Sequence, residues 1–121
     1  MIRYGWFRSH SGLQLPWKIE LDGWPDFVWQ NVAQIVYGSH RFSEVVGVPT
    51  GGLKLAHALE PLCEPGYGRL IVDDVLTTGA SMEALREDST EVGVVVYARG
   101  PYPSWVKPIF TVSEWAQNPF R

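Results

Sequence analysis

The sequence is poor in cysteine, in excess charge and in long hydrophobic segments. One cysteine, Cys63, stands among 121 residues, so no internal disulfide can form and a reducing compartment, the cytoplasm, is expected. The longest apolar run, residues 92–98, is too short to cross a bilayer, and the N-terminus lacks a signal-peptide pattern. Ten basic and thirteen acidic residues give a net charge of −3, which argues against nucleic-acid or membrane partners.

Two glycine motifs are also missing, and aromatic residues are abundant. Neither Gly-x-Gly-x-x-Gly nor Gly-Lys-Ser/Thr occurs, so neither a dinucleotide-binding fold nor a P-loop is indicated. Six tryptophans are many for one small core, and some are expected at a ligand site or a subunit interface, as in a homodimer. The length predicts a single domain, residues 1–121.

The order of the predicted elements indicates an α/β fold. Alternating apolar residues predict an N-terminal β-hairpin with a turn at Ser11-Gly12, and a helix follows from Pro25 to about Gly38. Later apolar runs predict strands, separated by two helix patterns that include residues 81–88; the runs are residues 45–48, 70–72, 92–98 and 109–112. This alternation predicts a compact parallel sheet with flanking helices (residues 23–121), preceded by the hairpin (residues 1–22). The first run, 45–48, is continuous enough to predict a strand buried on both faces.

Two polar loops follow the first two strands of this sheet. Ligands of parallel sheets bind outside the carboxyl ends of the strands. In the second loop Asp73 and Asp74 precede a group rich in hydroxyls and backbone N–H donors: Thr77, Thr78, Gly79, Ala80 and Ser81. Such donors at a helix start bind anions, whereas carboxylates suit sugar hydroxyls or a developing positive charge. A ligand that joins a phosphate to a ribose fits both halves.

This second loop closely resembles the phosphoribosyl pyrophosphate (PRPP) motif of type I phosphoribosyltransferases. The shared pattern is three apolar residues, two acids, two apolar residues, two threonines, a glycine and a further hydroxyl, residues 70–81. The first loop, residues 47–56, is similar to the pyrophosphate loop of that family. The resemblance implies that the acids contact the ribose and stabilise its cationic transition state, and that residues 77–81 bind the 5′-phosphate. It also implies a pyrophosphate site at Thr50, Gly51, Gly52 and Lys54, with Mg²⁺ bound mainly through PRPP and no separate metal site on the protein.

Two features resemble the orotate branch of the family. The segment from Phe7 to Gly12 is similar to the N-terminal hood of that branch, with His10 in place of its lysine, followed by Ser11 and Gly12. Arg99, after the third core strand, is suited to the carboxylate of an acidic base because guanidinium binds both oxygens.

A third feature points to purines instead. Trp105 and the residues after it, up to Phe110, are similar to a C-terminal base-stacking stretch of the xanthine/guanine branch. The expected activity is therefore transfer of phosphoribosyl from PRPP to a nucleobase, orotate before a 6-oxopurine.

The segment between the two loops is short. Only residues 53–68 separate Gly52 from Arg69, and residues 64–68 predict a tight turn. Orotate and purine enzymes carry a mobile loop here that closes over PRPP. Its loss leaves a non-catalytic PRPP-binding module as a further alternative.

Overall fold

A computed structural model describes residues 2–8, 14–19, 21 and 23–111 of the chain. Within these ranges the elements in chain order are β1 (Ile2–Arg8), β2 (Gln14–Ile19), α1 (Asp26–Ser39), β3 (Glu44–Gly47), α2 (Leu53–Leu59), a 3₁₀ turn (Glu60–Leu62), β4 (Arg69–Leu76), α3 (Ala80–Leu85), β5 (Val92–Ala98) and β6 (Val106–Thr111).

Four strands form one parallel sheet in the order β3-β4-β5-β6, which is also their order along the chain. Gly47 pairs with Val72 across the first ladder, and Val72 pairs with Val94 across the second. The first two connections contain α2 and α3, as the repeated strand–helix pattern predicts. The third connection, residues 99–105, contains no helix. The predicted α/β class, a compact parallel sheet with flanking helices, is confirmed.

Alternate residues of the central strands enter two hydrophobic layers, because successive side chains of a strand point to opposite faces. On one face Leu70 and Val72 of β4 belong to a cluster with residues of α1 and α2. On the other face Ile71 of β4 and Val95 of β5 pack with Met82 of α3. All five side chains are buried, and each contributes roughly 1.5–3 kcal/mol through this burial. Covered on both faces, the central strands provide a rigid base for the loops that follow them.

Helix α1 begins directly after Pro25, whose fixed φ and missing N–H suit a helix start. The helix continues one residue past the predicted end at Gly38. Its buried face has helical spacing and consists of Trp29, Val32, Ala33 and Val36, which pack in the first hydrophobic layer. No helix in the described ranges is long and apolar enough to cross a membrane.

Strand β4 extends further than the apolar run of residues 70–72 predicts. After the two acids the strand continues to Leu76, because Val75 pairs with Tyr97 and Leu76 pairs with Ala98. Leu76 also packs in the second hydrophobic layer. Asp73 and Asp74 therefore lie inside the strand near its carboxyl end, and not in the loop after it.

Strand β3 is more exposed than the sequence predicts. Its four residues range from exposed to half-buried, because in the described part of the chain β3 pairs with β4 alone and forms an edge of the sheet. The prediction that it is buried on both faces was wrong. Two boundaries also differ: α3 ends at Leu85, before the predicted Asp88, and β6 begins at Val106, before the predicted Ile109.

The N-terminal strands β1 and β2 pair antiparallel in a separate two-stranded sheet, with Arg8 opposite Gln14. The predicted turn at Ser11-Gly12 falls outside the described residues. The role of the hairpin as a hood, and the division of one domain into residues 1–22 and 23–121, stay predictions.

The segment before β4 is the tight turn that the sequence predicts. Gly66 has a φ of 95°, a left-handed conformation that glycine adopts at little cost. Ser43 fixes this turn: its hydroxyl oxygen accepts from Tyr67 N–H (2.7 Å) and lies within hydrogen-bonding distance of two carbonyl acceptors, Glu64 O (2.8 Å) and Tyr67 O (2.6 Å). Its backbone N–H donates to Gly68 O (2.9 Å). Because these contacts lie where β3 and β4 begin, the turn is at the opposite end of the sheet from the polar loops.

Candidate functional site

The loop after β3 folds tightly against β4. Val48 N–H donates to Val72 O (2.9 Å), and Gly52 N–H donates to Val48 O (2.8 Å). The peptide bond between Pro49 and Thr50 is cis, and both residues are exposed. Gly52 leads directly into α2. Residues 49–51 thus project as a short loop at the carboxyl end of β3, closed at its base by two hydrogen bonds.

Two glycines of this loop lie so close to other atoms that an added side chain would force a neighbour to move. A Cβ atom at Gly52 would lie 2.4 Å from Val72 O and 2.6 Å from Val48 N. A Cβ atom at Gly51 would lie 2.4 Å from Oδ1 of Asp74 and 2.5 Å from its Oδ2. Both positions are far inside van der Waals contact. The structure therefore brings the first polar loop into direct contact with the acids of β4.

Asp73 and Asp74 are half-buried neighbours held by backbone donors. Asp74 N–H donates to Asp73 Oδ1 (2.8 Å), and Val75 N–H donates to Asp74 Oδ1 (2.7 Å). Burial, and then the side-chain hydrogen bond and the charge of Asp74, raise the pKa of Asp73 from 3.8 to about 8, although the hydrogen bond from Asp74 N–H acts in the opposite direction. A proton is therefore retained on Asp73 at neutral pH, since two adjacent carboxylates in a poorly solvated place do not both ionise.

The loop after β4, residues 77–81, is open to solvent and rich in donors. Gly79 adopts a left-handed conformation (φ 83°, ψ 0°), which lets consecutive backbone N–H groups turn toward one side, as in anion-binding nests. Ala80 N–H lies 3.3 Å from Thr78 Oγ1, and Thr78, Ala80 and Ser81 are exposed. Since α3 has only six residues, its dipole is small, and the loop itself supplies the donors.

Arg99 lies beside this loop at the carboxyl end of β5. Its backbone N–H donates to Leu76 O (2.9 Å), which joins it to the last residue of β4. The residue is only 9% exposed, and burial lowers the pKa of its guanidinium, which nevertheless stays charged at neutral pH. Four predicted features thus lie together at the carboxyl end of the sheet: the pyrophosphate loop, the two acids, the phosphate loop and the arginine.

The remaining predicted residues are Lys54 and three residues of the N-terminal hairpin. Lys54, in the first turn of α2, lines a groove of about 570 Å³ between α1 and α2, together with Gln30 and His57. His10, Ser11 and Gly12 lie outside the described residues. The predicted roles of these residues stay predictions.

Trp105 lies at the opposite end of the sheet. It precedes β6, its carbonyl accepts from Gly93 N–H near the start of β5 (2.9 Å), and its ring packs in the second hydrophobic layer. The Arg86 guanidinium lies over this ring, 4.5 Å from its centroid. The five residue steps from Gly93 to Ala98 advance about 16 Å along a strand. The structure therefore separates Trp105 from the polar loops at the carboxyl end of the sheet and assigns its ring a packing contact.

Sequence reasoning missed the contact between Gly51 and Asp74. The two residues are 23 positions apart, and neither motif specifies the distance to the other. The available signal was the glycine pair itself, because adjacent glycines indicate a close approach of the backbone to something. The pattern does not say whether that neighbour is a ligand or another part of the chain.

Comparison with known proteins identifies similar sequences. No model of a known protein family matches the chain. Orotate phosphoribosyltransferase of Pyrobaculum calidifontis is 30% identical over 131 aligned positions, which cover 80% of this chain and 68% of that protein. The enzyme of the same name from Pyrobaculum aerophilum is 32% identical over 130 positions, covering 79% and 67%. Each alignment is longer than this chain, so these relatives carry residues within the aligned region that this chain lacks.

Two solved structures share the fold. A structure of Leishmania donovani UMP synthase matches with a TM-score of 0.66 and 19% identity, covering 92% of this chain and 33% of that one. Orotate phosphoribosyltransferase of Mycobacterium tuberculosis matches with a TM-score of 0.59 and 13% identity, covering 92% and 89%. At these identities the likeness establishes the architecture, a parallel sheet with flanking helices.

Proposed function

This chain belongs to the orotate phosphoribosyltransferase family, and we propose that it transfers the 5-phosphoribosyl group of PRPP to orotate with release of pyrophosphate. The observation that carries the proposal is the close contact between Gly51 and the carboxylate of Asp74, which brings the two predicted binding segments together at the carboxyl end of the sheet. The names of its relatives favour orotate as the base.

The loop of residues 77–81 is proposed to hold the 5′-phosphate. Its exposed hydroxyls and backbone N–H groups supply several donors to one anion, an arrangement that needs no lysine in the loop. The ribose then extends from the phosphate toward the acids of β4.

Asp73 and Asp74 are proposed to accept hydrogen bonds from the ribose hydroxyls. As the bond to pyrophosphate breaks, the sugar ring gains positive charge, and carboxylates fixed nearby stabilise that charge more than they stabilise the ground state. Asp73 must lose the proton that it retains in the free protein before it acts fully in this way.

The loop of residues 49–52 is proposed to hold the pyrophosphate, together with Mg²⁺. The described residues assemble no group of three or more His, Cys, Asp or Glu side chains that could hold a metal ion. The ion is proposed to be bound mainly through diphosphate oxygens and water, the kind of ligand that Mg²⁺ prefers. When bound, Mg²⁺ would neutralise part of the charge of the leaving group.

Arg99 is proposed to recognise the carboxylate of orotate. A buried guanidinium next to the last residue of β4 supplies a positive charge in a poorly solvated place, where its attraction to a carboxylate is strong. The purine alternative draws on Trp105, whose carbonyl accepts from Gly93 N–H near the start of β5, so no observation beside the polar loops favours it.

The test is an incubation of the purified chain with Mg²⁺ and PRPP and one base at a time. Nucleotide formed from orotate supports the proposal. Nucleotide formed from guanine or xanthine would show that the base substrate is a 6-oxopurine and not orotate. Binding of PRPP without turnover of any base would show that the chain is a PRPP-binding module and not an enzyme.

A pair of variants ties the activity to the site. Asp73→Asn combined with Asp74→Asn should abolish turnover. Glu44→Gln combined with Glu60→Gln likewise replaces two carboxyl groups by amides, at exposed positions near the other end of the sheet, and should leave turnover unchanged.

A further inference from the structure

We propose that Gly51 is a positioning residue that fixes the carboxylate of Asp74, so that the pyrophosphate loop and the ribose-binding acid act as one unit. The inference rests on the proposed function and assigns Gly51 a task besides contact with pyrophosphate.

The carboxylate of Asp74 is confined from two directions. On one side Val75 N–H donates to Oδ1 over 2.7 Å. On the other side lies Gly51, where an added Cβ would meet Oδ1, Oδ2 and Cγ at 2.4–2.5 Å. Rotation of the carboxylate away from Val75 would therefore meet the loop, and a side chain at position 51 would force that rotation.

The neighbouring glycines have a different task. A Cβ at Gly52 meets the backbone atoms Val72 O and Val48 N, and a Cβ at Gly47 would lie 2.6 Å from Gly52 O. Backbone atoms in a packed sheet cannot move aside cheaply. The carboxylate of Asp74 is the end of a side chain and can move. Substitution at Gly51 is thus expected to alter the site and spare the fold, whereas substitution at Gly52 is expected to damage the fold.

A displaced carboxylate should weaken the binding of the ribose even when no pyrophosphate is present. Electrostatic stabilisation depends on charges that are already in place, and a displacement of about 1 Å can cost on the order of a hundredfold. A loop that only bound pyrophosphate would have no effect on ligands without that group. Ribose 5-phosphate, which keeps the phosphate and the hydroxyls and lacks the pyrophosphate, separates the two possibilities.

The experiment measures the affinity of PRPP and of ribose 5-phosphate for Gly51→Ala by titration with Mg²⁺ present. Gly68→Ala is the matched control, because nothing lies within 4 Å of a Cβ at that position. We expect Gly51→Ala to weaken both ligands about tenfold or more, with a melting temperature close to that of the wild type, and Gly68→Ala to change neither affinity. Loss of PRPP binding alone, with ribose 5-phosphate unaffected, would overturn the proposal.

A double-mutant cycle then tests whether Gly51 acts through Asp74. If it does, Gly51→Ala added to Asp74→Asn should weaken ribose 5-phosphate less than it does in the wild type, because the fixed carboxylate is already lost. Equal effects in both backgrounds contradict the coupling, as does a Gly51→Ala chain that fails to fold. A wild-type chain that binds neither ligand would instead overturn the proposed function, and the inference with it.

Discussion

Replacement of Asp73 by asparagine should make the protein more stable at pH 8 although it removes a residue proposed for catalysis. The pKa of Asp73 is raised from 3.8 to about 8 by burial and by Asp74. Between these two pH values the folded chain binds a proton that the unfolded chain releases. The free energy of unfolding therefore falls as pH rises from about 4 to about 8, and this carboxyl group adds no further change above that range.

The magnitude follows from the size of the shift. One pKa unit corresponds to about 1.4 kcal/mol, so a shift of roughly four units sets an upper limit of about 5–6 kcal/mol. The side chain is half-buried, and water around its exposed part screens the penalty. We therefore expect Asp73→Asn to be more stable than the wild type by about 2–3 kcal/mol at pH 8 and to match it near pH 4, below which Asp73 is protonated in the folded and the unfolded chain alike. Asparagine has nearly the same shape, and its Oδ1 can still accept the hydrogen bond from Asp74 N–H.

The assay is urea unfolding of the wild type and Asp73→Asn at pH 5, 6.5 and 8. Glu44→Gln is the control, since it replaces one exposed carboxyl group by the corresponding amide. The wild type and the control should lose stability as pH rises, and Asp73→Asn should lose less. If the free energy of unfolding of all three falls equally between pH 5 and 8, Asp73 is ionised in the folded chain and the reasoning is refuted.

Three further predictions follow from the same geometry. The affinity for PRPP should rise between pH 6 and 8, by at most about tenfold per pH unit, and then level off, because binding favours ionised Asp73. Titrations of Asp73→Asn should lack this part of the pH dependence. Gly52→Ala should lower the free energy of unfolding by about 2–4 kcal/mol, since its Cβ meets backbone atoms. Gly38→Ala, inside α1, should raise the free energy of unfolding by about 0.5–1 kcal/mol, because nothing lies within 4 Å of a Cβ at that position. Trp105→Phe should lower the melting temperature and leave the KM for the base unchanged, and a raised KM would return Trp105 to the base site.

Much of the sheet could be predicted from short-range patterns. Residues 92–98 form β5 as predicted, because a run rich in β-branched residues that is buried on both faces has a direct sequence signature. For β3 the same signature was misleading: burial depends on which strands lie on either side, and Val45 and Val46 do not encode that they belong to an edge. The end of β4 was missed because two acids interrupt its apolar pattern, while Leu76 is held by Ala98 and by the second hydrophobic layer.

The candidate site likewise has some features that local sequence predicts and others that depend on distant residues. The acids and the threonine loop could be predicted because their residue types and spacing lie within one short segment of the chain. Two properties depend on residues that are distant in sequence and could not be predicted: the contact of Gly51 with Asp74, and the position of Trp105 at the far end of the sheet. A local pattern can indicate candidate residues for the chemistry, whereas how the loops meet is decided by tertiary packing.

The order of the strands has a consequence for how the chain folds. Every strand of the sheet pairs with the next one along the chain, and the longest connection is the segment of residues 48–68. Pairing between consecutive strands keeps the closed loops as short as crossover connections of a parallel sheet allow, which limits the entropy lost on closing each one. The sheet can therefore grow one strand at a time from any neighbouring pair. Because β4 belongs to both of the first two pairings, the acids and both binding loops are assembled before β6 needs to join.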